Sequence, residues 1–387
     1  MIKDRYSEYF GEPCADVFSA AGRTEIGGNH TDHQNGRVLA AAVELSIDAA
    51  VCPLEDKKIE MYSEGYGKLD MDITDLDVHE DEKGTTAGLI RGVLAALADQ
   101  GFDTGGFRAY IRSQVPAGSG LSSSAAFEIL IGKIQSGLYN NDSVSPVELA
   151  RVGQYAENVY FGKPCGLMDQ IACAVEGIVY IDFAYDGCPI IEEIDFDFEK
   201  NGYTLCITHT GGSHADLTDE YAAVPDEMGK VARMFSQEKL RGITIEQLID
   251  KAGDIRRGAG DRALLRAMHF VNEDDRARKE AEALKEGDVE GFLKLVRESG
   301  DSSYKLLQNI YAAGDHACQN IAVGLAVSEE VLGENGVCRV HGGGFAGTIQ
   351  AFVRKEAVPA YKKAMDKLFG EDACRVLNVQ SAGNRRE

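Results

Sequence analysis

One segment near the start of the chain, GRTEIGGNHTDHQNG (residues 22–36), combines glycines with side chains that bind ligands and move protons. Its polar residues include Arg23, Asn29, His30, Asp32 and His33. Glycine permits close approaches and backbone conformations that other residues avoid, so this composition predicts a loop rather than a core helix or a core strand. The two histidines are also metal-ligand types, but the segment has no evident third ligand, which disfavours a metal site.

A second glycine-rich segment, VPAGSGLSSSAAFE (residues 115–128), has the composition of a phosphate-binding loop. It follows a strand pattern and runs into the apolar helical pattern of Phe127, Leu130, Ile131 and Ile134. A glycine loop that opens a helix offers an anion free backbone N–H groups and the positive end of the helix dipole. The serines add hydroxyl groups for phosphate or for a metal ion. The segment lacks the GK[ST] end of a Walker loop, and a plain glycine-serine turn is the alternative.

A third segment, VHGGGFAGT (residues 340–348), contains three consecutive glycines, which let its backbone approach another part of the molecule closely. The letters HGGG also occur in the oxyanion loop of esterases. That interpretation requires a GxSxG nucleophile elbow, which the sequence does not contain, so we exclude it. A plain connection between a helix and a strand is the remaining alternative.

The elements that must position these segments are a mixture of helices and strands. Predicted strands comprise residues 37–51, 107–115, 177–182, 203–210 and 347–353. Predicted helices comprise residues 85–101, 145–162, 274–288, 288–299 and 356–370. Ser145 and Pro146 have the residue types of a helix N-cap and a first helical position. Helical patterns dominate from about residue 225 to 335, which predicts two α+β domains joined near residues 190–200.

The composition is that of an ordinary globular protein and argues against several other classes. With 387 residues the chain can bury a sizeable core, and its formal net charge of −23 repels nucleic acid and anionic membrane surfaces. The nine cysteines are scattered without a CxxC pair, which disfavours a disulfide framework or a zinc cluster. The N-terminus lacks the apolar stretch of a signal peptide, and no long apolar run occurs. We therefore expect a cytoplasmic protein without membrane spans.

Four motifs, in this order along the chain, resemble the GHMP kinases and more narrowly their galactokinase branch. GRTEIGGNHTD resembles the branch pattern GR-x-N-L-I-G-E-H-T-D-Y, and PAGSGLSSSAA resembles P-x-G-S-G-L-S-S-S-A-A. CGLMDQ (residues 165–170) resembles C-G-I-M-D-Q, and GGGFAG resembles the end of T-G-G-G-F-G-G. The helical region around residues 264–288 is also similar to that branch, so the resemblance runs through the chain.

The resemblance implies an α+β fold with two domains and the active site in the cleft between them. An N-terminal α/β domain (residues 1–195) would carry the first two segments, and a C-terminal α+β domain (residues 196–387) would carry the third. The implied reaction transfers the γ-phosphoryl group of ATP to the anomeric hydroxyl of D-galactose, with Mg²⁺ as the metal ion. Such a transfer depends on positioning and charge neutralisation more than on covalent chemistry.

The same resemblance implies a role for each matched residue. Asp169 would be the catalytic base with Arg23 as its partner, although Arg23 could instead form a purely structural ion pair. Mg²⁺ would be held by Ser123 and Glu157; without the resemblance, Glu157 would be interpreted as an exposed carboxylate on a helix face. The ATP phosphates would be bound by Gly118, Ser119, Gly120, Leu121, Ser122, Ser123 and Ser124. The sugar would be bound by Asn29, His30, Asp32 and Tyr221.

Two residues of the first segment depart from the branch pattern, since Asn29 and His33 replace its glutamate and tyrosine. In the family that glutamate faces the C6 hydroxyl of the sugar. The galacturonate-kinase branch has H-x-D-H-Q-G-G without it, and galacturonate carries a carboxylate at C6. Like charges about 4 Å apart repel by roughly 4 kcal/mol at an effective dielectric constant near 20, so glutamate would exclude galacturonate and Asn29 would not. Because the galactokinase-like motifs cover more of the chain, galactose is predicted, with galacturonate or another modified galactose as the alternative.

A non-catalytic sensor of ATP and galactose is a second alternative. Relatives of that kind typically lose part of the serine-alanine loop, whereas GSGLSSSAA is intact here and both Arg23 and Asp169 are present. An enzyme is therefore favoured. Tyr221 is followed by AAVPDEM instead of the basic residues usual in the family, which weakens its assignment to the sugar. The oligomeric state is left open by the sequence.

Overall fold

The computed structural model describes residues 1–116, 120–185, 188–211, 217–312, 317–345 and 347–379. The chain forms two compact units that interleave along the sequence. The first unit comprises Met1–Arg23 and Ala42–Glu176, and the second comprises Thr24–Ala41 and Gly177–Glu387. A division into contiguous domains at residue 195 stays a prediction. No helix in the described ranges has the length and apolar character needed to cross a membrane.

The first unit is built around a sheet in the strand order β4-β3-β5-β2, in which only β3 and β5 run parallel. Strands β1 and β2 each continue from one unit into the other along the chain. The strands are β1 (Asp16–Gly27), β2 (Arg37–Leu54), β3 (Lys58–Ser63), β4 (Gly67–Asp72) and β5 (Gly106–Ser113). The helices are α1 (Ile2–Phe10), α2 (Thr86–Asp99), α3 (Ser123–Tyr139), α4 (Pro146–Tyr155) and α5 (Met168–Val175).

Local sequence signals explain why the helices of the first unit begin and pack where they do. The stripe of Leu89, Val93 and Leu97 is buried on α2, as the periodicity predicts. Ser145 caps α4 in a reciprocal capping box with Glu148, so both predicted signals at this helix start are confirmed. After Tyr155 the helix widens into a π-helical segment, Ala156–Phe161, and π-segments of this kind are frequent at functional sites.

The second unit contains an antiparallel sheet in the order β11-β8-β10-β9 and a group of helices. The beginning of β2 pairs with β6, which pairs with β7. The strands are β6 (Ile178–Asp182), β7 (Ile190–Ile194), β8 (Tyr203–His209), β9 (Gly336–Val340), β10 (Thr348–Arg354) and β11 (Cys374–Leu377). The helices are α6 (Thr218–Met234), α7 (Ile245–Asp250), α8 (Ala252–Gly258), α9 (Asp261–Glu286), α10 (Val289–Ser302), α11 (Asn320–Leu332) and α12 (Val358–Phe369).

The predicted helices and strands agree with the structure in type, and their ends differ by a few residues. The prediction of a loop is wrong for residues 22–27, which form the buried end of β1. The largest difference is at the helix predicted for residues 274–288, because α9 begins at Asp261. The prediction omitted the first half of α9, residues 261–273. Polar side chains such as Arg266 and His269 are buried there, so this part of the helix lacks a simple separation of apolar and polar faces. Short 3₁₀ turns and a second π-helical segment, Ser303–Leu307, complete the described secondary structure.

Candidate active site

Arg23 and Asp169 form a bidentate ion pair in the first unit. Arg23 lies near the end of β1, and Asp169 lies in the first turn of α5. The guanidinium Nε donates to Oδ1 and Nη2 donates to Oδ2 of the carboxylate, both at 2.8 Å. The arginine side chain is 8% exposed and the aspartate side chain 32% exposed, so the pair is closed on one side and accessible on the other. Two parallel hydrogen bonds fix the carboxylate in orientation as well as in charge.

The surroundings of Asp169 keep its carboxylate ionised. Burial opposes ionisation, but the charge and hydrogen bonds of Arg23, together with the Ser122 hydroxyl, outweigh it and lower the pKa of Asp169 below its ordinary value. The Ser122 hydroxyl donates to Oδ2. Arg23 also donates through Nη1 to the backbone oxygen of Gly120, so one guanidinium holds both the carboxylate and the second glycine-rich segment.

The second segment turns sharply into α3, as its glycines predict. Gly120 has a φ of +76° and Ser122 a φ of +53°, and both values lie in the left-handed region. Ser122 precedes α3, but its hydroxyl donates to Asp169 instead of capping the helix. The N–H groups of the first helical turn therefore remain for a bound anion. Leu121 is buried, whereas Gly118 and Ser119 lie outside the described residues.

The approach of β1 to this turn leaves little room for a side chain at residue 22. A Cβ on Gly22 would lie 3.0 Å from the backbone oxygen of Leu121 and about as close to the Val115 side chain. The neighbouring Arg23 N–H donates to that same Leu121 oxygen at 3.1 Å. The glycine before Arg23 thus lets the arginine lie directly against the second segment.

Glu157 is buried beside the start of α3, at 3% exposure. The alternative of an exposed carboxylate on a helix face is therefore wrong: Glu157 lies on the same face as the buried Ala150 and Gly153 of α4. Its Oε1 accepts from the Ser124 hydroxyl at 3.2 Å and from Lys163 Nζ at 3.1 Å. Ser123, the serine matched to the metal, is the first residue of α3 and is half-buried.

Sequence reasoning missed two residues that surround Glu157. Gln170, next to Asp169, donates through Nε2 to Glu157 Oε2 and to Glu128 Oε2, each at 3.1 Å. Glu128 is 1% exposed, and burial and the charge of Glu157 raise its pKa to about 8. Glu128 is therefore largely protonated at neutral pH. The position of Gln170 in the motif CGLMDQ was the one available signal, but a motif letter does not identify its contacts.

The part of the first segment beyond Arg23 belongs to the second unit, where Asn29 is fully buried. Its Nδ2 donates to Glu25 Oε1 at 3.0 Å and to the Gly342 oxygen at 2.7 Å. Its Oδ1 accepts from Ser303 at 3.3 Å and from Asn309 at 3.0 Å. These four bonds use the whole capacity of the amide, so a direct contact between Asn29 and a sugar would require one of them to break.

Four polar residues of the first segment are half-buried, namely His30, Asp32, His33 and Asn35. His30 has a left-handed φ of 57°, which is uncommon outside glycine and marks strained positions that are often functional. Asp32 begins a 3₁₀ turn. Burial of the ring and, to a smaller extent, the charge of the nearby His30 lower the pKa of His33 well below its ordinary value. The ring is therefore neutral at physiological pH. Within the described ranges, no group of three His, Cys, Asp or Glu side chains is arranged to hold a metal ion.

The third segment is the support on which the first segment rests within the second unit. The backbone oxygens of its three glycines bind side chains from three directions. Gly342 accepts from Asn29, Gly343 bonds His30 Nε2 at 3.0 Å, and Gly344 accepts from the Tyr221 hydroxyl at 2.7 Å. A Cβ on Gly343 would lie 2.6 Å from the Tyr221 ring. A Cβ on Gly344 would lie 2.1 Å from the Asn309 oxygen, so these two positions need glycine for close approach, whereas Gly342 has no atom near its Cβ position.

Tyr221 faces the third segment from α6. Its ring packs edge-on against Phe345, with ring centroids 5.4 Å apart. Burial raises the pKa of Tyr221 to about 12, so the hydroxyl keeps its proton and donates to Gly344. The structure thus brings Asn29, His30 and Tyr221 together around one loop, which a lone tyrosine in the sequence does not indicate.

Comparisons with protein families place this architecture among known enzymes. Residues 88–177 match the N-terminal domain of the GHMP kinases, and residues 4–53 match the galactokinase galactose-binding signature. A galactokinase from Lactobacillus helveticus is 30% identical over 375 residues, which cover 94% of this chain and 92% of the relative. A galactokinase from Limosilactobacillus reuteri is 28% identical, with the same shares of each chain covered.

Solved structures give the same fold. A Lactococcus lactis galactokinase complexed with galactose has a TM-score of 0.81 at 24% identity, covering 98% of this chain and 97% of that one. A mevalonate kinase from Methanococcus jannaschii has a TM-score of 0.65 at 18% identity, covering 95% and 98%. The predicted GHMP kinase fold of mixed helices and sheets is therefore confirmed.

Proposed function

Since the chain belongs to the galactokinase family of the GHMP kinases, we propose that it transfers the γ-phosphoryl group of ATP to D-galactose. The acceptor would be the anomeric hydroxyl, and the products would be galactose 1-phosphate and ADP. Membership of this family makes the chain a sugar kinase. Phosphorylation at the anomeric hydroxyl is the more specific proposal.

The observation that carries this proposal is the bidentate pair of Arg23 and Asp169 beside the turn into α3. Asp169 is ionised and partly exposed, so it can accept the proton of a sugar hydroxyl. Its lowered pKa makes it a weak base, but phosphoryl transfer through a loose transition state requires little early proton removal. Arg23 supports the reaction by orienting this carboxylate and by stabilising negative charge on the transferring group.

ATP and Mg²⁺ are supported by the donor groups around α3. The uncapped first turn of α3 and the left-handed turn at Gly120 suit a polyphosphate. Glu157 with the hydroxyls of Ser123 and Ser124 supplies the carboxylate and oxygen ligands that Mg²⁺ prefers. When bound, Mg²⁺ would neutralise charge on the phosphates. Lys163, at 3.1 Å from Glu157, adds a positive charge that an acidic protein needs near an anionic substrate.

His30 and Asp32 are the proposed direct ligands of the sugar, because the family pattern assigns both to the sugar and their side chains are only half-buried. Asp32 can accept hydrogen bonds from two adjacent hydroxyls, and His30 can donate or accept one. Asn29 and Tyr221 would support this surface through the third segment. We place the activity in the cytoplasm, which accords with the nine cysteines being free.

A panel of D-galactose, D-galacturonate, N-acetylgalactosamine and arabinose with purified protein and MgATP tests the proposal. Galactose should give the highest kcat/KM, and ³¹P NMR should identify the anomeric phosphate. The neutral Asn29 keeps galacturonate as the second candidate, and a higher kcat/KM for it would replace galactose. ATP and sugar binding without turnover would instead support the sensor.

A further inference from the structure

Arg339 is a fully buried cation on β9 that requires a nearby negative charge. Its Nη1 donates to the Ile26 oxygen at 2.7 Å, and its Nε donates to the Val340 oxygen at 3.0 Å. Its Nη2 donates to Oε1 of Glu25, whose side chain is 5% exposed. A buried arginine that loses its carboxylate partner is strongly destabilising, so this ion pair is a requirement of the local fold.

The other buried acids nearby do not replace Glu25. Glu273 is paired with Arg276 and accepts from Ser299 at 2.6 Å. Burial and the charge of Glu273 raise the pKa of Glu280 well above its ordinary value, so Glu280 is neutral. Glu25 therefore supplies the negative charge that contacts Arg339 directly.

Asn29 shares the same carboxylate oxygen. Glu25 Oε1 accepts from Arg339 and also from Asn29 Nδ2 at 3.0 Å, so residues 25 and 29 meet at one atom. The galactokinase pattern quoted above has asparagine where this chain has Glu25 and glutamate where it has Asn29. The carboxylate and the amide are thus exchanged between two side chains in contact, which conserves the charge available to Arg339.

We propose that Glu25 and Asn29 are an exchanged carboxylate–amide pair that positions the first segment and sets which sugars it admits. The carboxylate at residue 25 satisfies Arg339. The amide at residue 29 then holds the segment to Gly342, Ser303 and Asn309 without placing a negative charge next to His30 and Asp32. With no second carboxylate beside Asp32, this surface repels an anionic galactose derivative less than it would with glutamate at residue 29. This specificity rests on the proposed function, whereas the pairing itself does not.

The test is a four-protein cycle of the parent, Asn29→Glu, Glu25→Asn and the double exchange. Ligand-free urea unfolding measures the pairing. Asn29→Glu puts two carboxylates against one arginine, and Glu25→Asn leaves the arginine unbalanced. Each single change should lower the folding equilibrium constant about tenfold or more, and the double exchange should recover most of that loss. Glu25→Gln, which keeps the side-chain length, is the milder variant if Glu25→Asn does not fold.

A matched control introduces the carboxylate at a different buried asparagine, Asn309. Asn309 donates to Asn29 Oδ1 and to the Gly343 oxygen, at 3.0 and 3.2 Å, rather than to Glu25. Glu25→Asn combined with Asn309→Asp has the same net charge as the double exchange but should show no recovery. Equal recovery in both double variants, additive losses in the exchange, or single variants as stable as the parent would each overturn the pairing.

Kinetics measure the functional half of the proposal. Each single variant that folds should raise the KM for galactose several-fold with the KM for ATP unchanged, and the double exchange should restore it. Galacturonate should compete with galactose in the parent about tenfold better than in the double exchange. No competition in the parent, or equal competition in both, would overturn the specificity. If the parent phosphorylates no sugar, the proposed function fails while the unfolding cycle still decides the pairing.

Discussion

At the scale of single residues, charges in this protein are defined by partners that the backbone brings close. Asp169 is kept ionised by Arg23, whereas Glu128 is kept largely protonated by burial and by Glu157. Two acids near the same helix start therefore have opposite charge states at neutral pH. Environment rather than residue type separates a carboxylate suited to accept a proton from one that serves as a neutral hydrogen-bonding group.

Asp169→Asn should lower kcat at least a hundredfold, because the amide oxygen can keep one of the two hydrogen bonds from Arg23 but the side chain cannot accept a proton. ATP should still bind, since the turn at Gly120 and the first turn of α3 are unchanged. Steady-state kinetics and calorimetric titration with a non-hydrolysable ATP analogue measure the two effects. Ser122→Ala, which removes one hydrogen bond to Asp169, is the control and should have a much smaller effect on kcat. Near-normal turnover of Asp169→Asn would show that another group is the base.

Glu128→Gln should flatten the pH dependence of stability. The pKa of Glu128 is about 8 in the folded protein and 4.5 in the unfolded chain, so folding retains a proton between those values. The parent should therefore lose stability as pH rises from about 4.5 to 8, on the order of 1.4 kcal/mol per pH unit from this group. The glutamine is neutral throughout and keeps a side-chain oxygen that can accept from Gln170 Nε2.

Urea unfolding of both proteins at pH 5, 6.5 and 8 measures this difference. The variant should gain stability relative to the parent as pH rises, and the gap should be widest at pH 8. Parallel pH dependences for the two proteins would mean that Glu128 does not change its protonation state on folding in this range.

At the scale of elements, the turn that leads into α3 joins the base to the phosphate-binding groups. The Arg23 guanidinium contacts both Asp169 and the Gly120 oxygen, and Ser122 links the start of α3 to Asp169. A displacement of this turn should therefore affect the carboxylate as well as the anion site. The π-helical segment after α4 is linked to the same helix start, because its Glu157 accepts a hydrogen bond from Ser124.

Gly120→Val should weaken ATP binding at least tenfold in a folded protein. The φ of +76° at Gly120 is strained for any L-residue and especially for a β-branched one. Calorimetric titration with a non-hydrolysable ATP analogue measures the affinity, and circular dichroism checks the fold. Gly65→Val is a matched control, since Gly65 has a φ of +82° in a distant turn with no atom near its Cβ position. Equal loss of ATP affinity in both variants would argue against a phosphate role for this turn.

At the scale of the whole molecule, a net charge of −23 opposes the approach of any anionic substrate. Local positive groups such as Arg23 and Lys163 must therefore offset the long-range field near the nucleotide. ATP that binds the folded chain and not the unfolded chain should stabilise the protein by mass action, whatever the order in which the two substrates bind.

MgATP analogue at about 100 times its Kd should raise the free energy of unfolding by about 2.7 kcal/mol in the parent. Asp169→Asn should show the same increase at the same multiple of its own Kd, because it keeps the nucleotide groups. Urea unfolding with and without the analogue measures both values. Gly120→Val should show a smaller increase when tested at the parent's analogue concentration. A parent whose stability does not change would not bind the nucleotide.

The sequence alone determined the elements and the residue types of the site. The hydrophobic periodicity located α2, the Ser145–Glu148 signals located the start of α4, and glycines marked the turns, because each is a local property of neighbouring residues. The motifs also identified Arg23 and Asp169, which the structure brings into contact across 146 residues.

Only the tertiary structure decided which partners complete these residues. Asn29 meets Asn309 and Gly342 across 280 and 313 residues, and Arg339 meets Glu25 across 314. Local patterns do not encode such contacts, because they depend on how strands and helices far apart in sequence pack together. The burial of Glu157 was missed for a different reason. It lies on the same helical face as the buried Ala150 and Gly153, but a glutamate is usually exposed, and only its contacts with Ser124 and Gln170 show why this one is not.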